Sequence, residues 1–342
     1  MSEPSEEQWL ELHETFQEYC QLYPWVWFDD SDLVIVEMPD GDQNGHCVVL
    51  GSGGIERGLA VYRGDQGLAA FLAMMTGAVG PGEFDALNVT DAVAATLCDR
   101  EELESADYNV IRSLGLRYRG RGRWPLFRAY EPGYFPGRLD ADEATFLTTA
   151  LRAMTFLTLA VQNGQIALDE KDDPQLFLIM SFRDGGWHSR WDFISVPQPP
   201  PVKDYPDVER LEQLARSGLT SDSTWELGVF YLPAPLSEGR NQRLYMPVYA
   251  ALVHADSGYL VSELFTQPGP SDLDRQELLV KILESVPGLP EEVVVNTPRL
   301  AMMMESVTAP LGIKLVVGET PALWDAKEEL FNQLEGEPNE FC

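Results

Sequence analysis

One stretch of the chain combines charged and planar side chains densely enough to bind a ligand: RSLGLRYRGRGRWPLFRAYEPGYFPGR, residues 112–138. It holds seven arginines and one acid, Glu131, with aromatic residues interleaved among the arginines. A guanidinium donates to carboxylate or phosphate oxygens through a planar fork, and an aromatic face stacks on a base. The composition therefore predicts an anion-binding patch. The residues assigned to this patch are Arg117, Arg119, Arg121, Arg123, Trp124 and Arg128.

The same arginines have a second interpretation, because the rest of the chain is rich in acids. The 342 residues include 55 Asp and Glu against 24 Lys and Arg, which gives a formal net charge of −31. Seven arginines and one glutamate make the segment +6, so the remainder of the chain carries −37. The arginines would then pair with carboxylates of the same chain while the aromatic residues pack in the core. The sequence leaves both interpretations open.

The acidic remainder narrows the class of partner that we expect at the patch. Its field repels nucleic acid and anionic membranes over most of the surface, so neither a membrane nor long duplex DNA is expected. A small anionic ligand, a short single-stranded nucleic acid or an acidic protein fits better. Gly120 and Gly122 would let the backbone approach such a partner closely.

The sequence contains no complete catalytic motif. GxSxG, HExxH and GxGxxG are absent, and GSGGIERG at 51–58 lacks the Lys-Ser/Thr pair of a phosphate-binding loop. Four scattered cysteines without a CxxC favour buried thiols over a zinc site. We therefore predict no catalytic residue, no metal and no cofactor, and prefer a non-catalytic binding protein.

The N-terminal residues predict a cytoplasmic location. MSEPSEEQWLELHETF belongs to a stretch with six glutamates before Tyr19 and no Lys or Arg. A secretory signal begins with basic residues and continues with an apolar run, so this stretch does not resemble one.

An α+β domain is predicted over residues 1–165. Capping boxes start helices at Ser5 with Gln8, at Asp99 with Glu102 and at Asp140 with Glu143. Alternating and apolar runs predict the strands of an antiparallel sheet. These predicted strands lie at 33–37, 46–50, 58–63 and 87–97.

Residues 166–223 are predicted to connect this domain to a second one. LFLIMSF and WHSRWDFISV flank the turn RDGG and predict a hairpin. PQPPPVKDYP at 197–206 is typical of a stiff linker, and a helix follows near 207–216.

Residues 224–336 predict a second α+β domain with the element order β-β-β-α-β-α-β-α. Three antiparallel strands followed by two βαβ crossovers give a mixed sheet. Its helices begin at Ser271, at Thr297-Pro298 and at Thr320-Pro321. Its strands are predicted at 225–232, 245–254, 258–266, 292–296 and 313–317.

This order resembles the ribonuclease H-like fold, and PEEVVVNTPRLAMMMESVTAPLGIKL is similar to the corresponding stretch of integrase cores. The resemblance implies two divalent metals held by carboxylates, and with them a metal-dependent nuclease or hydrolase as the alternative function. Two of the four positions depart from it, because the first-strand position falls at Gly228 and the fourth strand ends in Asn296. The candidate ligands of this alternative are Glu226, Asp256, Glu277 and Glu328 (or Glu329).

The whole chain also resembles a bacterial family built from two domains of unknown function. PWVWFDDSDLVIVE, GLAVYRGDQGL and RWPLFRAYEPGYFP match its first domain, and PEEVVVN and LGIKLVVGETPAL match its second. This resemblance implies the division into two domains and no mechanism.

Overall fold

The computed structural model describes residues 2–39, 43–54, 56–77, 89–168, 173, 175–197, 201–217, 220–237, 243–265 and 271–336. The chain divides into two compact units. The first comprises Met1–Pro132 and Pro136–Pro199, and the second comprises Gly133–Phe135 and Pro200–Cys342. Each unit has its own sheet and its own hydrophobic core.

The described part of the first unit contains seven strands and four helices. In chain order they are α1 (Glu6–Gln21), β1 (Leu33–Glu37), β2 (Asn44–Leu50), β3 (Arg57–Arg63), α2 (Gly64–Met75), β4 (Ala92–Cys98), α3 (Ser105–Ser113), β5 (Trp124–Tyr130), α4 (Ala141–Gln162), β6 (Leu176–Arg183) and β7 (Gly186–Phe193).

These strands form one mixed sheet in the order β5-β4-β3-β2-β1-β6-β7. All neighbours are antiparallel except β1 and β6, which run parallel with Val34 opposite Leu178. The hairpin β6–β7, which the sequence placed in the connecting region, therefore belongs to the first sheet. The reason is burial: β6 carries the apolar run Leu178, Ile179 and Met180, and all three are buried once β6 lies beside β1.

The alternation of side chains along the strands divides the first core between the two faces of the sheet. Val34 and Val36 of β1 face the main core, where α1 and α4 also bury their apolar stripes. Leu33 faces the opposite side and packs in a smaller cluster with Leu68 and Phe71 of α2.

Helix α4 is long and apolar enough to cross a membrane by length and composition, judged on the described helices. More than half of its most apolar stretch is buried inside the protein. Leu147, Leu151 and Met154 are fully buried in the main core of the first unit. The core of a protein and the interior of a membrane both select apolar side chains. A buried core helix can therefore have the same length and composition as a membrane-spanning helix.

Capping interactions define where the helices of the first unit begin. The capping boxes at Ser5 and at Asp140 are confirmed. The capping box of Asp99 with Glu102 instead begins a short 3-10 turn, Arg100–Glu102. Helix α3 begins with a capping box of its own, at Glu104. The chain leaves the helical conformation between them because Leu103 is extended and buries its side chain.

The described part of the second unit contains five strands and four helices. In chain order they are α5 (Val208–Ser217), β8 (Thr220–Tyr231), β9 (Val248–His254), β10 (Leu260–Phe265), α6 (Asp272–Ser285), β11 (Leu289–Val295), α7 (Pro298–Thr308), β12 (Lys314–Val317) and α8 (Pro321–Gly336).

The second sheet has the strand order β10-β9-β8-β11-β12. The first three strands are antiparallel, and β11 runs parallel to both β8 and β12. This is the strand order of the ribonuclease H-like fold, and the prediction that the 292–296 strand lies parallel beside the first strand of the domain is confirmed.

The second unit begins earlier than the predicted residue 224. Leu211 of α5 is fully buried in the second core, and Tyr205 from the Pro-rich stretch packs there too. Arg210 then bonds Glu277 and Glu284 on α6. The stretch before β8 thus belongs to the folded domain, since its apolar residues complete that core.

Glu226 in the middle of β8 is buried because its carboxylate caps a distant helix. Its Oε2 accepts the backbone N–H of Leu323, in the first turn of α8, at 2.7 Å. The first N–H groups of a helix have no partner inside the helix, so a buried carboxylate satisfies one of them. Gly228 allows the helix to come this close, because an added Cβ would lie 2.5 Å from Leu323 Cδ2.

We predict that Glu226→Ala lowers the free energy of unfolding of the second domain by about 2 kcal/mol, because it leaves a buried N–H without an acceptor. Glu226→Gln keeps a carbonyl acceptor and should cost less than about 1 kcal/mol. Urea unfolding followed by fluorescence checks both values, with the exposed residue change Glu212→Ala as control. Equal midpoints for Glu226→Ala and the control would contradict the capping role.

Candidate anion-binding site

The segment between α3 and β5 contains most of the predicted patch and is shaped by glycines and one carboxylate. Gly115, Gly120 and Gly122 have positive φ angles of 70°, 96° and 58°. Asp99 accepts the Gly122 backbone N–H at 2.6 Å and Arg121 Nε at 3.3 Å. Asp99, at the end of β4, therefore fixes the turn that precedes β5.

A cavity of about 250 Å³ lies between this segment and α1. We call it the arginine cavity, because Arg117, Arg119 and Arg123 all line it. Phe16 and Cys20 of α1 form part of the opposite wall. The structure thus brings together three of the six residues predicted for the patch.

The three arginines of this cavity have no carboxylate partner within the described part of the chain. Arg117, Arg119 and Arg123 are exposed, and neither an ion pair within 4 Å nor a side-chain hydrogen bond involves them there. Like charges held around one concave space repel one another, and this repulsion is weakened when an anion occupies the space. The geometry therefore favours an anionic ligand.

Arg128 lies elsewhere and has a structural contact. Its side chain is only 9% exposed, and its Nη2 lies 2.7 Å from Asp107 and 3.1 Å from Glu104 of the α3 region. The internal-pairing interpretation is therefore correct for Arg128, which the structure removes from the predicted patch. The backbone of β5 directs this side chain toward α3, where two carboxylates compensate its burial.

Arg121 and Trp124 also lie outside the arginine cavity. The Arg121 side chain is 95% exposed, so its ion pair with Asp99 contributes little to stability. Trp124 is half-buried, with its ring centroid 5.9 Å from that of Tyr118 and 6.3 Å from that of Tyr108. It lines a neighbouring cavity instead.

A buried histidine that the sequence interpretation missed lies at the wall of the arginine cavity. His13 Nδ1 is 3.0 Å from the hydroxyl of Tyr118. Burial lowers the pKa of His13 to about 4, against the opposing effect of the Asp107 charge, so the ring is neutral at pH 7. His13 lies four positions after Trp9 and three before Phe16, which places it on the apolar face of α1. This spacing is the feature of the sequence from which its burial could have been predicted.

Cys20 lines the same cavity as a thiol. Burial raises its pKa to about 12, although the nearby Arg123 acts in the opposite direction. A thiol is a poor nucleophile compared with a thiolate, so Cys20 contributes wall surface rather than covalent chemistry at neutral pH.

The carboxylates considered for a metal-dependent nuclease do not converge. Glu226 caps α8, and Glu277 accepts bonds from Tyr205 Oη at 2.6 Å and from Arg210 Nη1 at 2.8 Å. Asp256 lies in the turn after β9, and Glu328 lies on α8. Among the described residues, no group of three or more His, Cys, Asp or Glu is placed to hold a metal ion.

Fold and site together define a two-domain α+β protein with an arginine-lined cavity in its first domain and a ribonuclease H-like second domain. Family models match both parts: the domain of unknown function DUF7309 over residues 9–179 and the domain of unknown function DUF6930 over residues 210–331. The first match covers half of the chain, and the chain belongs to the DUF7309 family.

Solved structures similar to the chain include retroviral integrase cores. The catalytic core domain of BIV integrase is 14% identical, with a TM-score of 0.25, covering 34% of this chain and 76% of that one. The HTLV-2 integrase catalytic core domain in complex with magnesium is 16% identical, with a TM-score of 0.26, covering 36% and 78%. No curated protein matches the chain. The fold assignment of the second domain rests on its own strand order.

We predict that Arg128→Met lowers the free energy of unfolding of the first domain by about 3–5 kcal/mol, because it leaves the carboxylate of Asp107 buried without its partner. The matched change Arg121→Met should alter the free energy of unfolding by less than about 0.5 kcal/mol, since the ion pair of Arg121 with Asp99 is exposed. Chemical denaturation measures both values. A similar small loss for the two variants would contradict the structural role of Arg128.

The depressed pKa of His13 predicts acid sensitivity. The unfolded chain takes up a proton near pH 6.5, whereas the folded chain resists protonation until about pH 4. Stability linked to His13 is therefore present above pH 6.5 and is lost as the pH falls toward 4, by about 3 kcal/mol in total.

The variant His13→Gln should lack this part of the pH dependence. We expect the difference in unfolding free energy between the two proteins to shrink as the pH falls through this window, while the titration of carboxylates cancels between them. Parallel pH profiles would show that His13 is not buried in its neutral form.

Proposed function

We propose that this protein binds a small organic anion in the arginine cavity of its first domain. One observation carries the proposal: Arg117, Arg119 and Arg123 line a single cavity without an ion pair among the described residues. This occurs in a chain with 55 acidic and 24 basic residues. Although carboxylates are abundant in this chain, none of those in the described residues pairs with these three arginines, so their guanidiniums are free to bind an external anion.

Arg128 supports this reasoning by contrast. It belongs to the same segment, yet two carboxylates surround its guanidinium. An arginine of this segment can thus pair with carboxylates of the same chain, yet the three arginines of the arginine cavity have no such partner among the described residues. Hydrogen bonds from a guanidinium to an anion contribute about 1.5–3 kcal/mol each when partly shielded from water.

The remaining wall of the arginine cavity favours a ligand with an apolar body. Phe16, Leu97 and Pro125 line it together with the ring of Tyr118. Ligand sites of this kind combine apolar walls with a few polar groups that fix orientation. An aromatic or aliphatic group attached to a phosphate or carboxylate would use both features.

The cavity supports a small ligand more directly than the other partners that the sequence allowed. An acidic protein surface would contact arginines that project into solvent, such as Arg121. The guanidiniums without a carboxylate partner among the described residues instead line a concavity, which a small ligand can enter. Long duplex DNA would meet the acidic remainder of the surface.

Binding without catalysis is part of this proposal, as is a cytoplasmic location. Cys20 stays protonated, and His13 Nδ1 is engaged by Tyr118, which supports a binding role. Cys47 and Cys98 are free and buried, as expected for a reducing compartment.

We predict that the double change Arg119→Gln with Arg123→Gln weakens the binding of phenyl phosphate by about a hundredfold or more, because two charge-assisted contacts are lost. Calorimetric titration of the full chain measures the affinity. The melting temperature without ligand should stay within about 2 °C of the parent, since neither guanidinium has an internal partner to lose.

The matched control is Arg121→Gln with Arg216→Gln, which removes the same charge from two exposed arginines in surface ion pairs. It should bind phenyl phosphate like the parent. A fall of several degrees in the melting temperature of the cavity variant without ligand would show that its arginines are structural. Unchanged phenyl phosphate affinity would equally overturn the proposal.

A further inference from the structure

A second cavity, of about 380 Å³, adjoins the arginine cavity. We call it the aromatic cavity, because the rings of Tyr108, Tyr118 and Trp124 all line it. Arg117, Tyr118 and Arg119 line both cavities. The short segment 117–119 therefore separates the two spaces and presents its two arginines to each of them.

The aromatic cavity has positive charge of its own. Arg112, in the last turn of α3, lines it and is exposed, and no ion pair or side-chain hydrogen bond involves it in the described part of the chain. Arg100 does not line the cavity, but its guanidinium carbon lies 3.8 Å from the ring centroid of Tyr108 and 5.6 Å from that of Trp124. Cations and aromatic walls thus occur together here, outside the arginine cavity.

Two adjoining cavities that both contain arginines and aromatic rings suit a ligand that repeats an anionic group and carries a planar ring. A base packs against aromatic side chains, and a phosphate accepts from arginine forks. A simple dicarboxylate would leave the aromatic walls without a partner. The rings of Tyr108, Tyr118 and Trp124 surround the second cavity, which agrees with a planar ring occupying it.

We propose, building on the proposed function, that the ligand is a dinucleotide that spans both cavities. One phosphate contacts Arg119 and Arg123 in the arginine cavity. The second phosphate contacts Arg112 at the aromatic cavity, and a base packs against the ring wall there. Arg117 lies between the two anionic groups and serves both.

The test compares two probes on the full chain by calorimetric titration: phenyl phosphate, which needs only the arginine cavity, and the 5′-phosphorylated adenine dinucleotide pApA. We expect pApA to bind at least about tenfold more tightly than phenyl phosphate, because it adds a second charge-assisted contact and a stacked base.

The decisive variant is Arg112→Gln, which lies outside the arginine cavity. It should weaken pApA binding by about tenfold and leave phenyl phosphate affinity unchanged. Arg216→Gln is the matched control, since Arg216 also lies exposed in the last turn of a helix. It should change neither affinity.

The outcomes separate this inference from the proposed function. In one outcome, phenyl phosphate binds with an affinity that depends on Arg119 and Arg123, pApA binds no more tightly than phenyl phosphate, and Arg112→Gln leaves the pApA affinity unchanged. The two-cavity inference is then overturned and the proposed function stands. If neither probe binds, both are overturned. If the single-stranded oligonucleotide A10 binds more than about tenfold more tightly than pApA, the ligand is a longer nucleic acid and the dinucleotide assignment is overturned.

Discussion

The packing of α1 against α4 over one face of the first sheet is the constraint on which the candidate site depends. Leu12 and Phe16 of α1 are buried in the same core as the apolar stripe of α4. Hydrogen bonds fix the two helices at both ends: Gln8 Nε2 donates to the carbonyl of Ala141 at 3.0 Å, and Gln162 Nε2 donates to that of Leu22 at 2.7 Å. Because α1 is held in this way, its Phe16 and Cys20 form a fixed wall, and the arginine cavity exists only between that wall and the segment before β5. Rigid elements of this kind preorganise a binding site and reduce the entropy lost when a ligand binds.

Charge is distributed in the first domain according to burial. Where an arginine is buried, as Arg128 is, carboxylates from α3 surround it, since an isolated buried charge is strongly unfavourable. Where arginines line an open concavity, water screens them and no internal partner is required for folding. This difference lets one segment contain both a structural ion pair and a cluster that is available for a ligand. The same reasoning explains why the acidic surface elsewhere does not neutralise the cavity: surface carboxylates gain little from pairing with exposed guanidiniums.

The second domain illustrates how a fold and its chemistry separate. Its sheet has the ribonuclease H-like strand order, but two of the candidate metal-binding carboxylates, Glu226 and Glu277, have other partners. Glu226 is used to cap α8, and Glu277 joins Tyr205 and Arg210 in a network that ties the stretch before β8 to α6. A superfold hosts unrelated functions because activity lies in particular side chains and not in strand order. In this domain those side chains stabilise the packing of helices on the sheet.

The sequence by itself determined the local features of this protein, and the tertiary structure decided which residues meet. Capping boxes at Ser5 and Asp140 and the element order of the second domain follow from residue spacing, because helix caps and strand periodicity are properties of neighbours in the chain. The parallel pairing of β6 with β1 joins residues more than a hundred positions apart, so no local pattern revealed it. The arginines posed the same problem. Seven similar side chains looked equivalent in the sequence, and only the positions of α1 and α3 in space decided which were paired and which line a cavity, since electrostatic and packing interactions depend on distance in three dimensions.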